Sequence, residues 1–350
     1  MIRLFILLAV VAPSLQSRNR DKKNLLEDGF VVVKNVLSPG ELDRINITAN
    51  HLVNSDKYQH LQEDKFTGSL IPLAKDSRFS ELIANPEALR TLSELGLKDI
   101  KYMSGFVISK PPGGPSLGWH QDGWYFDDIA GYTTSPAQVF AMWYLSDTRV
   151  DNGCLRVLPG SHVKKHPLHD KLGLAHSDEV RSAINTNFTE KGWEDKIEHK
   201  NVDGSVNVMV TAGDMVIGDA RVLHGTNPNI SNERRTVITV WYIADFDKQS
   251  EHFKSGVRKL SEKSGRDLHT WSEESYRQIE HLLPGKSEGL VEEKGKGNFN
   301  EFDHNLDFMV RTSGWAKHAG NAAKKMYKGE LIKRLGGFKD SIKKMYVEEF

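Results

Sequence analysis

The 350-residue sequence predicts a mainly β protein with flanking α-helices, built as a double-stranded β-helix, or jelly roll. Short β-rich runs dominate after Lys98, at 100–109, 137–145, 154–158, 206–210, 215–217 and 236–244. Gly, Pro, Asn and Asp turns separate them, as strand punctuation requires. No helix-length pattern alternates with these runs, so a parallel α/β sheet is not expected. The helical patterns gather upstream, where they can pack outside a pair of sheets.

Taken in order, residues 25–37 (LLEDGFVVVKNVL) read as a short helix, a turn at Gly29 and a strand. Ser38-Pro39-Gly40-Glu41 then opens a helix, with Ser at the N-cap, Pro at N1 and Glu at N3. Its apolar stripe is Leu42, Ile45, Ala49, Leu52 and Val53. Residues 79–97 form a second helical stretch, divided by a turn at Asn85-Pro86. Within the β region, residues 164–203 lack periodicity and carry much charge; a loop that long reads as a lid or binding loop. Residues 273–283 read as a helix and 287–300 as a polar connector. Phe338, Ile342, Met345 and Tyr346 give a last helical stripe. The expected organisation is a leader at 1–17, one jelly-roll domain at 24–285 and a basic, partly helical extension at 286–350.

The chain carries 47 basic and 47 acidic side chains, is 38% hydrophobic and 27% charged, and so has the composition of a globular protein. This excludes a collagen-like, disordered or polytopic membrane chain. The zero balance argues against nucleic acid as a partner, because phosphate-tracking proteins carry a basic excess. The balance is an average: residues 311–350 hold ten Lys/Arg and four Asp/Glu, so the rest is acidic. That tail reads either as a solvated helical face or as a contact for an anionic surface. Arg3, the nine apolar residues 4–12 and the segment ending at Ser17 have the layout of a signal peptide. Nine apolar residues are too few for a transmembrane span, which takes about 20. Arg18, Arg20, Lys22 and Lys23 follow at once, and such charges resist translocation. The expected location is the secretory pathway if the leader is cleaved and the cytoplasm otherwise. Cys154 is the only cysteine, so no internal disulfide or cysteine-based zinc site forms; after Asn152-Gly153 it reads as a small buried residue.

The chemistry concentrates in Trp119-His120-Gln121-Asp122-Gly123. Two apart on an extended segment, His120 and Asp122 share a face. His224, in Asp219-Ala220-Arg221-Val222-Leu223-His224-Gly225-Thr226, offers the third ligand from another strand. Two imidazoles and one carboxylate form the facial triad that holds non-haem Fe(II) with open positions. Eleven residues after His224 comes Arg235, on a strong strand. A 2-oxoacid that chelates iron and carries a second carboxylate needs a planar cationic fork at the far end of its pocket. Arg234 and Arg235 face opposite sides of that strand, and parity alone does not choose between them.

With these residues the chain resembles the phytanoyl-CoA dioxygenase family of Fe(II)- and 2-oxoglutarate-dependent oxygenases. The resemblance spans residues 27–246 and rests on Glu27-Asp28-Gly29-Phe30, His120-Gln121-Asp122, Asp151-Asn152-Gly153-Cys154-Leu155, Leu158-Pro159-Gly160-Ser161-His162, and His224-Gly225-Thr226 with Arg235. It implies a cupin-like jelly roll in which His120, Asp122 and His224 are catalytic iron ligands. It also implies that Arg235 pairs with the distal carboxylate of 2-oxoglutarate and that Thr226 helps bind this cosubstrate. Trp143 and Met103 fall near positions that line the cosubstrate pocket. Gln121 lies within the motif, although a strict strand turns it away from the metal. The implied activity consumes O2 and 2-oxoglutarate, hydroxylates an unactivated C–H bond of a small organic substrate, and releases succinate and CO2. Relatives that halogenate lack the carboxylate; its presence at Asp122 implies hydroxylation.

Other residues carry competing readings. A jelly-roll binding protein that kept the shell and lost turnover is the alternative from another class, and a complete ligand set with Arg235 argues against it. An Fe-dependent dioxygenase that does without 2-oxoglutarate is disfavoured by Arg235. His162 reads as a structural strand-end residue, and His166, His169 and His176 as solvated. Trp124-Tyr125-Phe126 fits either a substrate mouth or the core, and Pro111-Pro112-Gly113-Gly114-Pro115 a rigid turn delivering the metal strand. Substrate choice is assigned to loops 123–135 and 164–203, where Lys164 and Lys165 are the candidate phosphate contacts.

Overall fold

A computed structural model of the chain describes residues 15–61, 68–122, 128–170, 172 and 199–286. Ten strands are described: β1 (Phe30–Val33), β2 (Ile71–Pro72), β3 (Lys101–Lys110), β4 (Leu117–His120), β5 (Gln138–Tyr144), β6 (Leu155–Val157), β7 (Val206–Val208), β8 (Met215–Asp219), β9 (His224–Thr226) and β10 (Arg235–Ile243). They form a six-stranded sheet in the order β1-β8-β5-β10-β3-β2 and a four-stranded sheet in the order β4-β9-β6-β7. Every pairing is antiparallel. Helices α1 (Leu15–Glu27), α2 (Pro39–Val53), α3 (Ser80–Ile83), α4 (Pro86–Glu94), α5 (Glu251–Ser264) and α6 (Glu273–Glu280) accompany them. The double sheet with flanking helices is the expected jelly roll.

The larger sheet is covered on both faces, which explains its composition. Val139, Ala141 and Trp143 of β5 and Ile238, Val240 and Tyr242 of β10 join Leu25, Ile45, Leu52, Leu82 and Leu92 in the helix-side core. The alternate residues Phe140, Met142, Tyr144 and Val237 meet Leu155, Val157 and Val208 of the smaller sheet. A strand buried on both faces reads as a continuous apolar run rather than an alternation. All seven residues of β5 are accordingly buried.

The helix signals act as the residue types dictate. The Ser38 hydroxyl accepts from the Glu41 amide, and the Glu41 carboxylate accepts from the Ser38 amide at 2.8 Å. Asn85 caps α4 through the Ala88 amide at 2.9 Å, with Pro86 at the first helical position. Two long reaches then fasten the helical layer: Tyr242 donates its hydroxyl to the Ile83 carbonyl, and Trp271 its indole N–H to the Ala74 carbonyl. Each satisfies a buried polar group at a net gain of about 1 kcal/mol.

Some elements differ from expectation. The helix before Gly29 begins at Leu15, inside the segment expected as a leader. α5 has no counterpart in the sequence reading: Ser250 caps it through the Phe253 amide, and Phe253 and Val257 are its buried apolar anchors. β2 is also additional, two residues long at the sheet edge. Residues 1–14 of the leader, Trp124-Tyr125-Phe126, His176, most of the 164–203 loop, and the connector and basic tail from 287 onward lie outside the described residues. No helix among the described residues is long and apolar enough to cross a membrane.

Candidate metal centre

β4 ends on His120 and β9 begins on His224, and the two stand opposite each other in the smaller sheet. The ladder is irregular between Leu117 and His120, so the last residue of β4 is re-aimed where the metal motif starts. The two imidazole rings lie 4.2 Å apart, tilted by 48°. Asp122 follows with its amide held by the Ala220 carbonyl at 2.8 Å. One ligand atom from each of His120, Asp122 and His224 fits within a 4.8 Å cluster. Asp122 lies 3.6 Å from Nε2 of each histidine, too far for a hydrogen bond.

The ring orientations follow from the backbone. His120 Nδ1–H donates to the Gly118 carbonyl at 2.8 Å, and His224 Nδ1–H donates to the Val222 carbonyl at 3.0 Å. Assigned in this way from the network, both tautomers turn the Nε2 lone pair toward the space beside the Asp122 carboxylate, where the three groups could share an ion. His224 and Asp122 are buried and His120 is half-buried. Two neutral nitrogens and one carboxylate oxygen, with the rings pre-oriented, suit a divalent iron whose remaining positions are open.

The walls come from the larger sheet. Trp241 Nε1 donates to Asp122 Oδ2 at 2.8 Å, and the Phe140 ring lies 4.9 Å from that of His224. Gly218, the register partner of Phe140, makes room: a Cβ there would sit 2.0 Å from Phe140 Cζ. Behind the metal cluster the interior is cationic. Arg235 shares its strand face with Val237, which packs between the sheets, whereas Thr236 and Ile238 point the other way. Parity, open in the sequence, thus places Arg235 inside and Arg234 outside. Arg235 is 3% exposed, its Nε has no hydrogen-bond partner among the described residues, and burial pushes its guanidinium down from the ordinary arginine range. An orphaned, desolvated fork of this kind suits a carboxylate. Thr226 Oγ1 accepts from Lys110 Nζ at 2.8 Å. Lys110 is fully buried opposite Arg235; burial first, and then Arg235, hold its ammonium well below the usual lysine range.

Two sequence expectations are corrected. Trp143 lies in the helix-side core at 0% exposure, on the face of β5 turned away from the interior between the sheets; strand alternation carries it off the pocket. Gln121 is buried with its amide donating to the Arg221 carbonyl, so it braces the loop before His224 rather than reaching the interior. Met103 sits at the β3–β10 register shift, in the apolar cluster of Phe253 and Val257 that also packs on Trp241. His162 is structural as expected, its Nε2 on the Leu26 carbonyl and its ring against Gly29. Cys154 is buried, and that burial pushes its thiol up. Trp241, Lys110 and Phe140 are the site residues that the sequence reading did not single out.

The family model described as Phytanoyl-CoA dioxygenase (PhyH) matches residues 25–237. Among curated relatives, "Phytanoyl-CoA dioxygenase domain-containing protein 1" of Rattus norvegicus is 26% identical over 47% of this chain and 53% of its own length. "Probable alpha-ketoglutarate-dependent hypophosphite dioxygenase" of Stutzerimonas stutzeri is 23% identical over 64% of this chain and 77% of its own length. The chain thus spans about half of the rat relative and three quarters of the bacterial one. The solved structure of HygX from Streptomyces hygroscopicus, with nickel and 2-oxoglutarate bound, is similar in fold at a TM-score of 0.50 and 18% identity, over 67% of this chain and 89% of that one.

Proposed function

The chain belongs to the phytanoyl-CoA dioxygenase family, and from that premise we propose that it is an Fe(II)- and 2-oxoglutarate-dependent dioxygenase. On this reading it hydroxylates an unactivated C–H bond of a small organic molecule, consuming O2 and 2-oxoglutarate and releasing succinate and CO2. The observation that carries the reading is the His120–Asp122–His224 cluster, with both Nδ1 atoms tied to backbone carbonyls and the orphaned guanidinium of Arg235 on the interior face. Bound iron supplies the oxidising chemistry together with the 2-oxoacid and O2.

The chain's own residues hold and orient. His120, Asp122 and His224 would hold the ion with three ligand atoms. Trp241 fixes the carboxylate rotamer of Asp122. Arg235 and Thr226 receive the distal carboxylate of the cosubstrate, and Phe140 and Met142 keep water from its stem. With a carboxylate at Asp122, iron held by this cluster would keep no ligand place free for a halide, which favours hydroxylation over halogen transfer. The rat relative is named for a phytanoyl-CoA dioxygenase domain and the bacterial one as a probable hypophosphite dioxygenase, so family membership alone fixes no substrate, and on this reading the loops choose it. The test is to incubate the iron-loaded protein with 2-oxoglutarate, O2 and a metabolite extract. One extract component gaining a single oxygen atom in step with succinate supports the reading; 2-oxoglutarate left intact throughout opposes it and favours the silent binding protein.

A further inference from the structure

Lys110 ends β3 with no exposed surface, an unusual place for an ammonium. Its Nζ donates to the Pro115 carbonyl at 2.6 Å, the Thr226 hydroxyl at 2.8 Å and the Asn227 carbonyl at 2.9 Å. An ammonium has three N–H groups, and each is matched. None of the three acceptors is charged, so hydrogen bonding is satisfied while the charge is not. Arg235 stands directly across the ladder, also buried. Two buried cations side by side are costly, so Lys110 gives up its proton readily while the pair stands alone and keeps it when an anion joins the two.

Of the three acceptors around Lys110, only the Thr226 hydroxyl carries a proton of its own. Its Oγ1 accepts from Lys110 and also from the Leu117 amide at 3.2 Å. A hydroxyl has two lone pairs and one hydrogen. With Lys110 protonated, as it is once an anion joins the two cations, both lone pairs are taken by donors, and the hydroxyl then acts on a ligand by donating. The motif 151–155, which the iron site does not use, builds the seat for Lys110. Gly153 has φ +87°, and a Cβ there would stand 2.9 Å from Lys110 Cδ. Asn152 bridges to Asn229, whose amide donates to the Lys110 and Pro111 carbonyls.

We propose that Lys110 is a positioning residue for cosubstrate choice: it holds the Thr226 hydroxyl as a donor toward the distal carboxylate that Arg235 receives, and so selects a 2-oxodicarboxylate over a 2-oxomonocarboxylate. This rests on the Fe(II)/2-oxoglutarate reading above. The selection needs no chemical step, only binding.

The experiment is an anaerobic titration of the Fe(II)-loaded full chain with 2-oxoglutarate and with 2-oxobutyrate, which keeps the chelating end and lacks the distal carboxylate. Binding is read from the visible charge-transfer absorbance of the chelate and from calorimetry. Lys110→Met and Thr226→Val are each expected to weaken 2-oxoglutarate roughly 10- to 100-fold. Binding of 2-oxobutyrate should stay within about 3-fold of wild type, and the double variant should be no worse than the weaker single one, because both act through one hydroxyl. Lys110→Gln keeps donors for the buried carbonyls and carries the same expectation if the Met variant does not fold. Equal weakening of both 2-oxoacids, or additive single effects, overturns the role of Lys110. A wild-type protein that binds neither 2-oxoacid, or binds both alike, overturns the underlying reading instead.

Discussion

Asp122 Oδ2 accepts a 2.8 Å hydrogen bond from Trp241 Nε1 and lies 3.6 Å from His224 Nε2, so one carboxylate oxygen is shared between an indole of the larger sheet and the metal cluster of the smaller one. This bond couples the two sheets at the site. Trp241→Phe keeps the ring and removes the donor. Partners of this kind typically cost 10- to 100-fold in metal affinity when lost, so Fe(II) should bind about that much more weakly. Unchanged affinity in a competition titration would show that the indole does not orient the carboxylate.

Arg235 faces the interior with its charge unpaired by any described carboxylate. Arg235→Lys keeps a charge and loses the planar fork, which makes it a poor replacement where a carboxylate is held at two points. The apparent KM for 2-oxoglutarate should rise at least about 10-fold, with Fe(II) affinity nearly unchanged. A variant with the wild-type KM removes Arg235 from the cosubstrate site.

Much of this site is legible in the sequence, for a local reason. His120 and Asp122 are two apart on extended backbone, and their shared face survives folding. Arg235 is recognisable by its distance from His224, yet its facing is decided only when Val237 meets Leu155 and Val157 across the sheets. Trp143 is misassigned because β5 is apolar on both faces, so Val139, Ala141 and Trp143 look like Phe140, Met142 and Tyr144 until the helices cover one side. Lys110 hides for the opposite reason: a lysine at a strand end reads as exposed, and only long-range acceptors from Thr226 and Asn227 make its burial tolerable. α5 escapes notice because two apolar anchors, Phe253 and Val257, stand among many charges.

Gly218 is a steric requirement of the same site. Gly218→Ala drives a methyl to 2.0 Å from Phe140 Cζ, and that ring is 4.9 Å from His224. Overpacking of this kind costs about 1–3 kcal/mol. Chemical denaturation should show that loss together with weaker Fe(II) binding. A variant as stable as wild type means the ring moves freely, and its place beside His224 is then not constrained.

His162 sets an acid limit on stability. Burial is the main cause that holds its pKa below the ordinary histidine value. The unfolded chain therefore takes up a proton that the folded one resists, and stability falls as pH drops below about 6.5. His162→Gln can keep the donor to the Leu26 carbonyl without titrating. The expected result is a shallower loss of stability between about pH 6.5 and 5 in the variant, measured by urea unfolding. Parallel pH profiles for the two proteins contradict the assignment.

The most direct test of the account is Fe(II)-dependent conversion of 2-oxoglutarate to succinate, measured side by side for the wild-type protein and Asp122→Ala. Removing the carboxylate leaves two imidazoles and withdraws the charge that completes the cluster. The account predicts succinate from wild type and a loss of roughly 1,000-fold or more in the variant, in line with removal of an essential catalytic group. Succinate formation at the wild-type rate by Asp122→Ala would contradict it.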